Sequence, residues 1–309
     1  MIFFGPVPSR RLGRSLGVNN IPSKHCTYSC VYCQVGRTNK TQIERCNFYK
    51  LEDFTETNKI KNAIEKGESV DYLTFVSDGE PTLDINLGFE IESLKNYGVK
   101  IAVITNSSLI WRFDVRKDLM KANLVSLKVD TTKKEIWQKI NRPHRNLRLE
   151  WILDGILEFA RMYDGEIITE TMLVKGINDS RTNIEEVVNL LTQIKPYKAY
   201  LSIPIRPPAE KWVRPPNEKI INRSYQIFKD KIDHVECLLG FEGDNFAFLD
   251  NIEKDLLNII AVHPMREDAL LKFLKKAKKD RTFIQNMISQ DLIIETEYEG
   301  EKFYKRKFP

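Results

Sequence analysis

The sequence predicts an α/β fold: a partial (β/α)6 barrel over residues 1–240 and a small winged helix-turn-helix module over residues 241–309. Three observations predict it. Over the first 205 residues, short apolar runs alternate with amphipathic stretches, the order that makes parallel strands with crossover helices. About six such units are present, too few for a closed eight-fold barrel. From about residue 248 the pattern changes to three short helices and then two alternating runs about a Gly-containing turn.

The expected strands are 16–21, 72–76, 99–105, 124–129, 167–174 and 199–205, and the expected helices between them are 54–66, 87–96, 116–122, 149–162 and 183–195. Chemistry in β/α barrels sits in the loops after strand C-termini, which places the loops starting near Lys24, Ser77, Asn106, Asp130, Lys175 and Arg206 on one rim. The stretch RPPAEKWVRPP at 206–216 holds too many prolines to continue a central strand or helix. It reads as a stiff loop, either a linker or a lid carrying Arg206, Lys211, Trp212 and Arg214. A helix at 217–232 and a short apolar run at 235–239 follow. Helices at 251–261, 266–277 and 281–289 then precede a hairpin with arms at 292–297 and 302–308.

Hydrophobic residues make up 42% and charged residues 29%, as in a soluble globular protein. No run of 18 apolar residues exists, so no membrane span is expected. The N-terminus lacks the long apolar segment of a signal peptide, and a cytoplasmic location is expected. Thiols stay reduced there, and clustered cysteines bind metal more often than each other. The net charge of +5 is uneven, because residues 1–50 carry eight Lys/Arg against Glu44 alone, a balance of +7 that leaves −2 for the rest. This basic segment is either a solvated face or the seat of an anionic ligand.

That segment contains Lys24–Gln34, KHCTYSCVYCQ, with three of the five cysteines. A structural zinc site wants four ligands, usually in two pairs; His25 or Cys46 could supply the fourth, but no second pair follows. A thioredoxin-like CxxC leaves Cys26 unexplained, and a haem attachment needs His where Gln34 stands. An iron–sulfur cluster on Cys26, Cys30 and Cys33 would keep one iron open, as a catalytic metal requires.

Other residues bear on the same rim. SDGEPTL at 77–83 alone reads as a surface turn. Ser126, Lys128 and Asp130 share one face of a strand, and a polar trio facing a barrel interior wants a ligand. Thr169 and Thr171 share a face of the next. Arginines near a rim suit phosphate or carboxylate, and Arg10, Arg11, Arg14, Arg37, Arg142, Arg145 and Arg206 are the substrate candidates. His144, Cys46 and Cys237 read as structural residues, with a catalytic role as the sharper alternative.

CxxxCxxC with Tyr32 before the last cysteine, in a loop after a first strand, resembles the signature of the radical S-adenosylmethionine superfamily. The resemblance implies a [4Fe–4S] cluster whose open iron binds S-adenosylmethionine, a 5′-deoxyadenosyl radical that abstracts hydrogen from substrate, and an electron donor such as a flavodoxin or ferredoxin. DGEP is similar to the family's GGEP segment, with Asp78 in place of the first glycine. It implies that Asp78, Gly79, Glu80 and Pro81 line the cofactor, Glu80 accepting from its ammonium group. TNSS at 105–108 is similar to the TNG segment, so Asn106 joins them. Ser126, Lys128, Asp130 and Thr171 complete the expected cofactor set, with Lys128 facing a carboxylate. The stretches GPVPSRRLGRSLG, CQVGRTNKT, NRPHR, ETMLVKGIND and IPIRPPAEKWV resemble a group similar to 4-demethylwyosine synthase, which modifies transfer RNA. That enzyme carries a second cluster near its N-terminus, and no cysteine precedes Cys26 here. The partner is then a transfer RNA or other nucleic acid. A peptide or protein gripped by the C-terminal module, and a zinc-bound nucleic-acid regulator, stand as alternatives. Residues 261–309 carry 11 Lys/Arg against 8 acids, too mild an excess to decide.

Overall fold

The computed structural model describes residues 2–38, 41–49, 60–61, 70–240, 243, 246–247 and 251–307. The expected helix at 54–66 lies outside them except for Ile60 and Lys61, as do the end of the hairpin's second arm and most of 241–250, where the two modules were expected to divide.

One eight-stranded sheet runs in chain order: β1 (Ile2–Ser9), β2 (Gly13–Asn19), β3 (Tyr72–Phe75), β4 (Lys100–Thr105), β5 (Leu124–Lys128), β6 (Glu166–Met172), β7 (Lys198–Ser202) and β8 (Val235–Leu238). β1 is antiparallel to β2, and all later neighbours are parallel. The six expected strands form β2 to β7. Two more flank them: the run at 235–239 joins as β8, and an N-terminal edge strand tolerates Pro6 and Pro8 because an edge need not donate every ladder bond.

Alternation sorts the side chains. Leu16, Leu73, Phe75, Ile101, Val103, Val125, Leu127, Ala199 and Leu201 face outward into the main core, beneath the helices. Ala102, Leu124, Ile168, Tyr200 and Leu238 face inward and make an apolar floor, plugged by Leu12 from the β1–β2 turn. The outer layer holds α1 (Leu87–Leu94), α2 (Phe113–Leu119), α3 (Lys134–Ile140), α4 (Leu149–Met162), α5 (Arg181–Ile194) and α6 (Glu218–Lys229). α5 shows the local logic: Ser180 caps it by accepting from Asn183 N, Ile184, Val187, Val188, Leu191 and Ile194 repeat at helical spacing on the buried face, and Lys195 ends it in the left-handed region.

The C-terminal part contains the three helices and the hairpin, as α7 (Ile252–Val262), α8 (Glu267–Lys276), α9 (Arg281–Ser289), β10 (Ile293–Tyr298) and β11 (Glu301–Arg306). The short β9 (Met265–Arg266) adds a third strand against β11. This part does not stand apart. Its core takes Phe4 and Val7 from β1, with Val76 packed against it. Tyr298 Oη donates to Pro204 O (3.3 Å), and Gln34 Nε2 donates to Val262 O (2.5 Å), so the module lies against the rim.

A glycine controls that junction. A Cβ on Gly17 would overlap the Phe4 ring, which fills the space above it and reaches the C-terminal core. Gly17→Ala is expected to cost about 1–3 kcal/mol through overpacking, read as a lower urea midpoint; an unchanged midpoint would refute this contact's importance.

Candidate active site

The loop after β2 carries Cys26, Cys30 and Cys33, and neighbouring elements hold it by backbone bonds. Val31 N donates to Ile140 O (2.9 Å), Ser29 N to Asn141 O (3.0 Å) and His144 N to Thr27 O (2.9 Å). The thiols are unpaired by disulfides and partly buried. Side-chain amides approach two of them: Asn106 Nδ2 lies 3.5 Å from Cys26 Sγ, and Asn141 Nδ2 lies 3.4 Å from Cys30 Sγ. Burial pushes Cys26 well up, helped by the Cys30 and Glu80 charges. Burial also lifts Cys30 to about 12, against the Asn141 bond. It lifts Cys33 against N–H groups from Val35 and Gly36. Cys46 is exposed, and Cys237 lies on β8; neither joins the loop's three.

The DGEP segment crosses this loop at close range. Lys24 N donates to Asp78 O (3.1 Å) and Glu80 N to His25 O (3.0 Å). A Cβ on Gly79 would collide with the His25 carbonyl, so the glycine is demanded by the crossing itself. Pro81 opens a short 3-10 turn (Pro81–Leu83) capped by Glu80. Glu80 is buried, and its Oε1 accepts from Thr82 N (3.1 Å), Thr82 Oγ1 (2.7 Å) and Thr105 Oγ1 (2.6 Å), while Oε2 accepts from Asn106 N (2.7 Å). Burial raises its pKa despite these donors. Asp78 is pushed up to about 6 by burial, opposed by Arg306 and a bond from Asn19, and its Oδ1 is a buried acceptor with no hydrogen-bond partner among the described residues.

Asn106 binds the cysteine loop: its Nδ2 also donates to Thr27 Oγ1 (2.9 Å), and its Oδ1 accepts from Ser108 N (2.9 Å). Ser126 and Lys128 lie on the inward face. Lys128 pairs with Glu170 Oε1 (2.9 Å), where Ser202 Oγ also donates (2.8 Å), and its ammonium stands 5.1 Å from the centre of the Tyr32 ring. Arg11 pairs with Glu170 Oε2. Burial opposes the Glu170 charge, but Lys128 and then Arg11 hold its carboxyl well below the usual range. Asp130 accepts from Tyr32 Oη, from Asn141 Nδ2 (2.9 Å) and from Met172 N (2.9 Å), so it orients the ring between Cys30 and Cys33. Thr171 is turned away from the mouth: it alternates with the inward Glu170 and donates its hydroxyl to Val129 O (2.8 Å).

The candidate arginines do not form one surface. Arg10 donates to Gly240 O (3.1 Å) and Arg11 points into the barrel. The backbone N of Arg14 donates to Asp71 Oδ2 (2.7 Å). Arg37 (2.7 Å) and Arg142 share Glu210, whose backbone N donates to Val31 O (3.0 Å), so the 206–216 loop is fastened to the cysteine loop. Arg145 is exposed. Arg206 donates to Gln34 Oε1 (3.2 Å) and lies 2.9 Å from His263 Nε2. Sequence reasoning missed Glu170, Asn141, Glu210 and Gln34; only the inward register of Glu170 carried a readable signal.

The fold is an open half-barrel, parallel from β2 onward, with three thiols on the first loop and a buried acid on the next. The model for the radical SAM superfamily matches residues 20–191, more than half of the chain, and the chain belongs to that superfamily, whose members use a [4Fe–4S] cluster and S-adenosylmethionine. It is 47% identical to a UPF0026 protein of Methanocaldococcus jannaschii over 307 residues, 99% of this chain and 96% of that one. It is 22% identical over 232 residues, 70% of this chain and 61% of the other, to a probable dual-specificity RNA methyltransferase of Streptococcus mutans. Among solved structures, SuiB of Streptococcus suis bound to S-adenosylmethionine matches with a TM-score of 0.54 and 15% identity, over 73% of this chain and 51% of that one. TYW1 with a lysine–pyruvate adduct matches at 0.52 and 17%, over 71% and 74%.

Behind DGEP, Ser77 Oγ donates to Asn20 Oδ1 (2.8 Å) and Asn20 Nδ2 to Glu90 Oε2 (3.0 Å). Burial, with the Asp84 charge, lifts Glu90 from 4.5 to about 8. Its contribution to stability is full below pH 4.5, fades as pH rises and is gone above about 8. Glu90→Gln should therefore flatten the decline in melting temperature between pH 5 and 8; an unaltered slope would show that Glu90 does not titrate there.

Proposed function

We propose that the protein holds a [4Fe–4S] cluster on Cys26, Cys30 and Cys33 and uses it with S-adenosylmethionine to start radical chemistry on an RNA, transfer RNA being the first candidate. The observation that carries this is the convergence of three partly buried thiols, amide donors and a buried carboxylate where two loops cross. The residues fit the group. Burial makes the thiolates costly unless a positive centre stabilises them. Among the described residues no three His, Cys, Asp or Glu side chains surround the position of a single ion, and a cluster gives each thiolate its own iron. Amide N–H groups near the sulfurs suit cluster ligation, since such bonds tune the potential.

When bound, the cluster and S-adenosylmethionine supply a 5′-deoxyadenosyl radical that abstracts a hydrogen atom. The chain's own groups orient and enclose. Glu80 Oε2, with one donor among the described residues, has capacity for an ammonium group. Among the described residues the Lys128 ammonium makes one hydrogen bond, to Glu170, and its other N–H groups suit a carboxylate. Asp78, Asn106, Ser126 and Asp130 shape the rim around them, and Arg37, Arg142 and Arg145 face outward beside it. The RNA reading draws on these cations and on the likeness to a protein named as an RNA methyltransferase. The finer reading is the grouping with proteins similar to 4-demethylwyosine synthase, with which the TYW1-like fold is consistent as a likeness of fold.

The order α7, β9, α8, α9, β10, β11 supports a winged helix-turn-helix module. Its seat against the rim favours a second reading, in which it grips a peptide or protein substrate. A flavodoxin or ferredoxin would supply the electron, in the cytoplasm. Anaerobically prepared protein should carry iron and sulfide, and Cys30→Ala should lose the cluster absorbance; zinc without iron would sink the radical reading and favour a regulator. Glu80→Gln should weaken S-adenosylmethionine binding about tenfold or more, because it removes a charged acceptor (~1.5–3 kcal/mol).

A further inference from the structure

We propose that the basic groove between α3 and the start of α4 docks the phosphate backbone of the RNA just outside the cysteine loop. The inference rests on the RNA reading above and adds where the polymer lies. The groove holds about 450 Å³; Lys134, Arg142, His144, Arg145 and Arg148 line it, and among the described residues no carboxylate does. Lys134 and Arg145 are exposed and make no ion pair among the described residues. Arg142 shares the single Glu210 carboxylate with Arg37, which leaves that trio with one net positive charge. Arg148 donates to Arg145 O and Leu147 O (both 3.2 Å), bonds that leave its charge in place. Four permanent cations repel one another in such a groove, and a polyanion relieves the repulsion while releasing its counterions.

The wall is rigid. Trp137 is buried beneath it and donates through Nε1 to Tyr28 Oη (3.0 Å), and Pro143 bridges to Tyr28. Because Trp137 is covered, the groove offers little of the exposed aromatic surface that anchors protein partners. This favours phosphate over a peptide. The inner side of the same segment carries the bonds from Ile140, Asn141 and His144 to the cysteine loop. A strand laid in the groove therefore runs beside the mouth, and a nucleotide turned out of it can enter the barrel, as enzymes that act on bases require.

The test measures binding of labelled total transfer RNA to the full-length chain between 50 and 200 mM KCl. Lys134→Gln with Arg145→Gln is expected to weaken binding about tenfold and to reduce the salt slope by about 1–2, the share of two phosphate contacts. Arg181→Gln with Lys219→Gln removes equal charge from exposed positions of α5 and α6 and should leave binding as in the parent. RNA binding unaffected by the groove pair, equal loss in both pairs, no RNA binding at all, or tighter retention of polyglutamate than of RNA would each overturn the groove assignment. Iron content measured on the same samples separates the two proposals: iron-free protein that still binds RNA through the groove overturns the radical reading alone.

Discussion

The Glu80 carboxylate is the acceptor on which the site converges. It gathers donors from the turn that follows it, from Thr105 at the end of β4 and from the backbone of Asn106. The next peptide link matters as much, because Glu80 N reaches back to His25 O and Gly79 leaves room for the two chains to touch. Asn106, fixed through its backbone, then directs its side chain at Cys26 and Thr27. A buried carboxylate without partners would be costly; here the donors offset the lost water, and their positions decide where the cysteine loop can lie.

The barrel interior repeats that economy with full charges. Glu170 sits between Lys128 and Arg11, with Ser202 as a further donor, above an apolar floor. Removing one member of such a set strands the others, a loss of about 3–5 kcal/mol for a buried pair. The arrangement brings polar groups against an apolar lumen: Leu12 and Tyr200 belong to the apolar floor, while Lys128 lies over the Tyr32 ring and Asp130 accepts from the Tyr32 hydroxyl.

Local pattern made much of this legible. Period-two alternation separates Ser126 and Lys128 from Val125 and Leu127, and the spacing of the cysteines singles out the loop after β2. The order of β/α units then put DGEP, TNSS and the β5 residues on one rim. What escaped depends on distant encounters. Glu170 and Lys128 are 42 positions apart, and Arg37 and Glu210 are 173 apart. An acid in a proline-rich loop looks like any solvated acid until its partners are placed. β1 is hidden by its prolines, and β8 is legible only as a short apolar run because it is four residues long. Thr171 shows the limit of a polar residue near a strand end: parity put it on the opposite face from Glu170, where its hydroxyl satisfies a carbonyl.

The core shared by Phe4, Val7 and the C-terminal helices has a consequence for the nascent chain. β1 emerges early, but the surface that covers Phe4 is assembled from residues after position 245. Until most of the protein has been made, an apolar edge strand has no lasting cover, a state prone to wrong pairing. The strand pairings of the barrel itself, β2 to β8, are made by residues before position 240. Completion of the second core is thus a late, long-range closure, and it registers at the rim through Gln34, Arg206 and the end of α7 whether the last part of the chain has arrived.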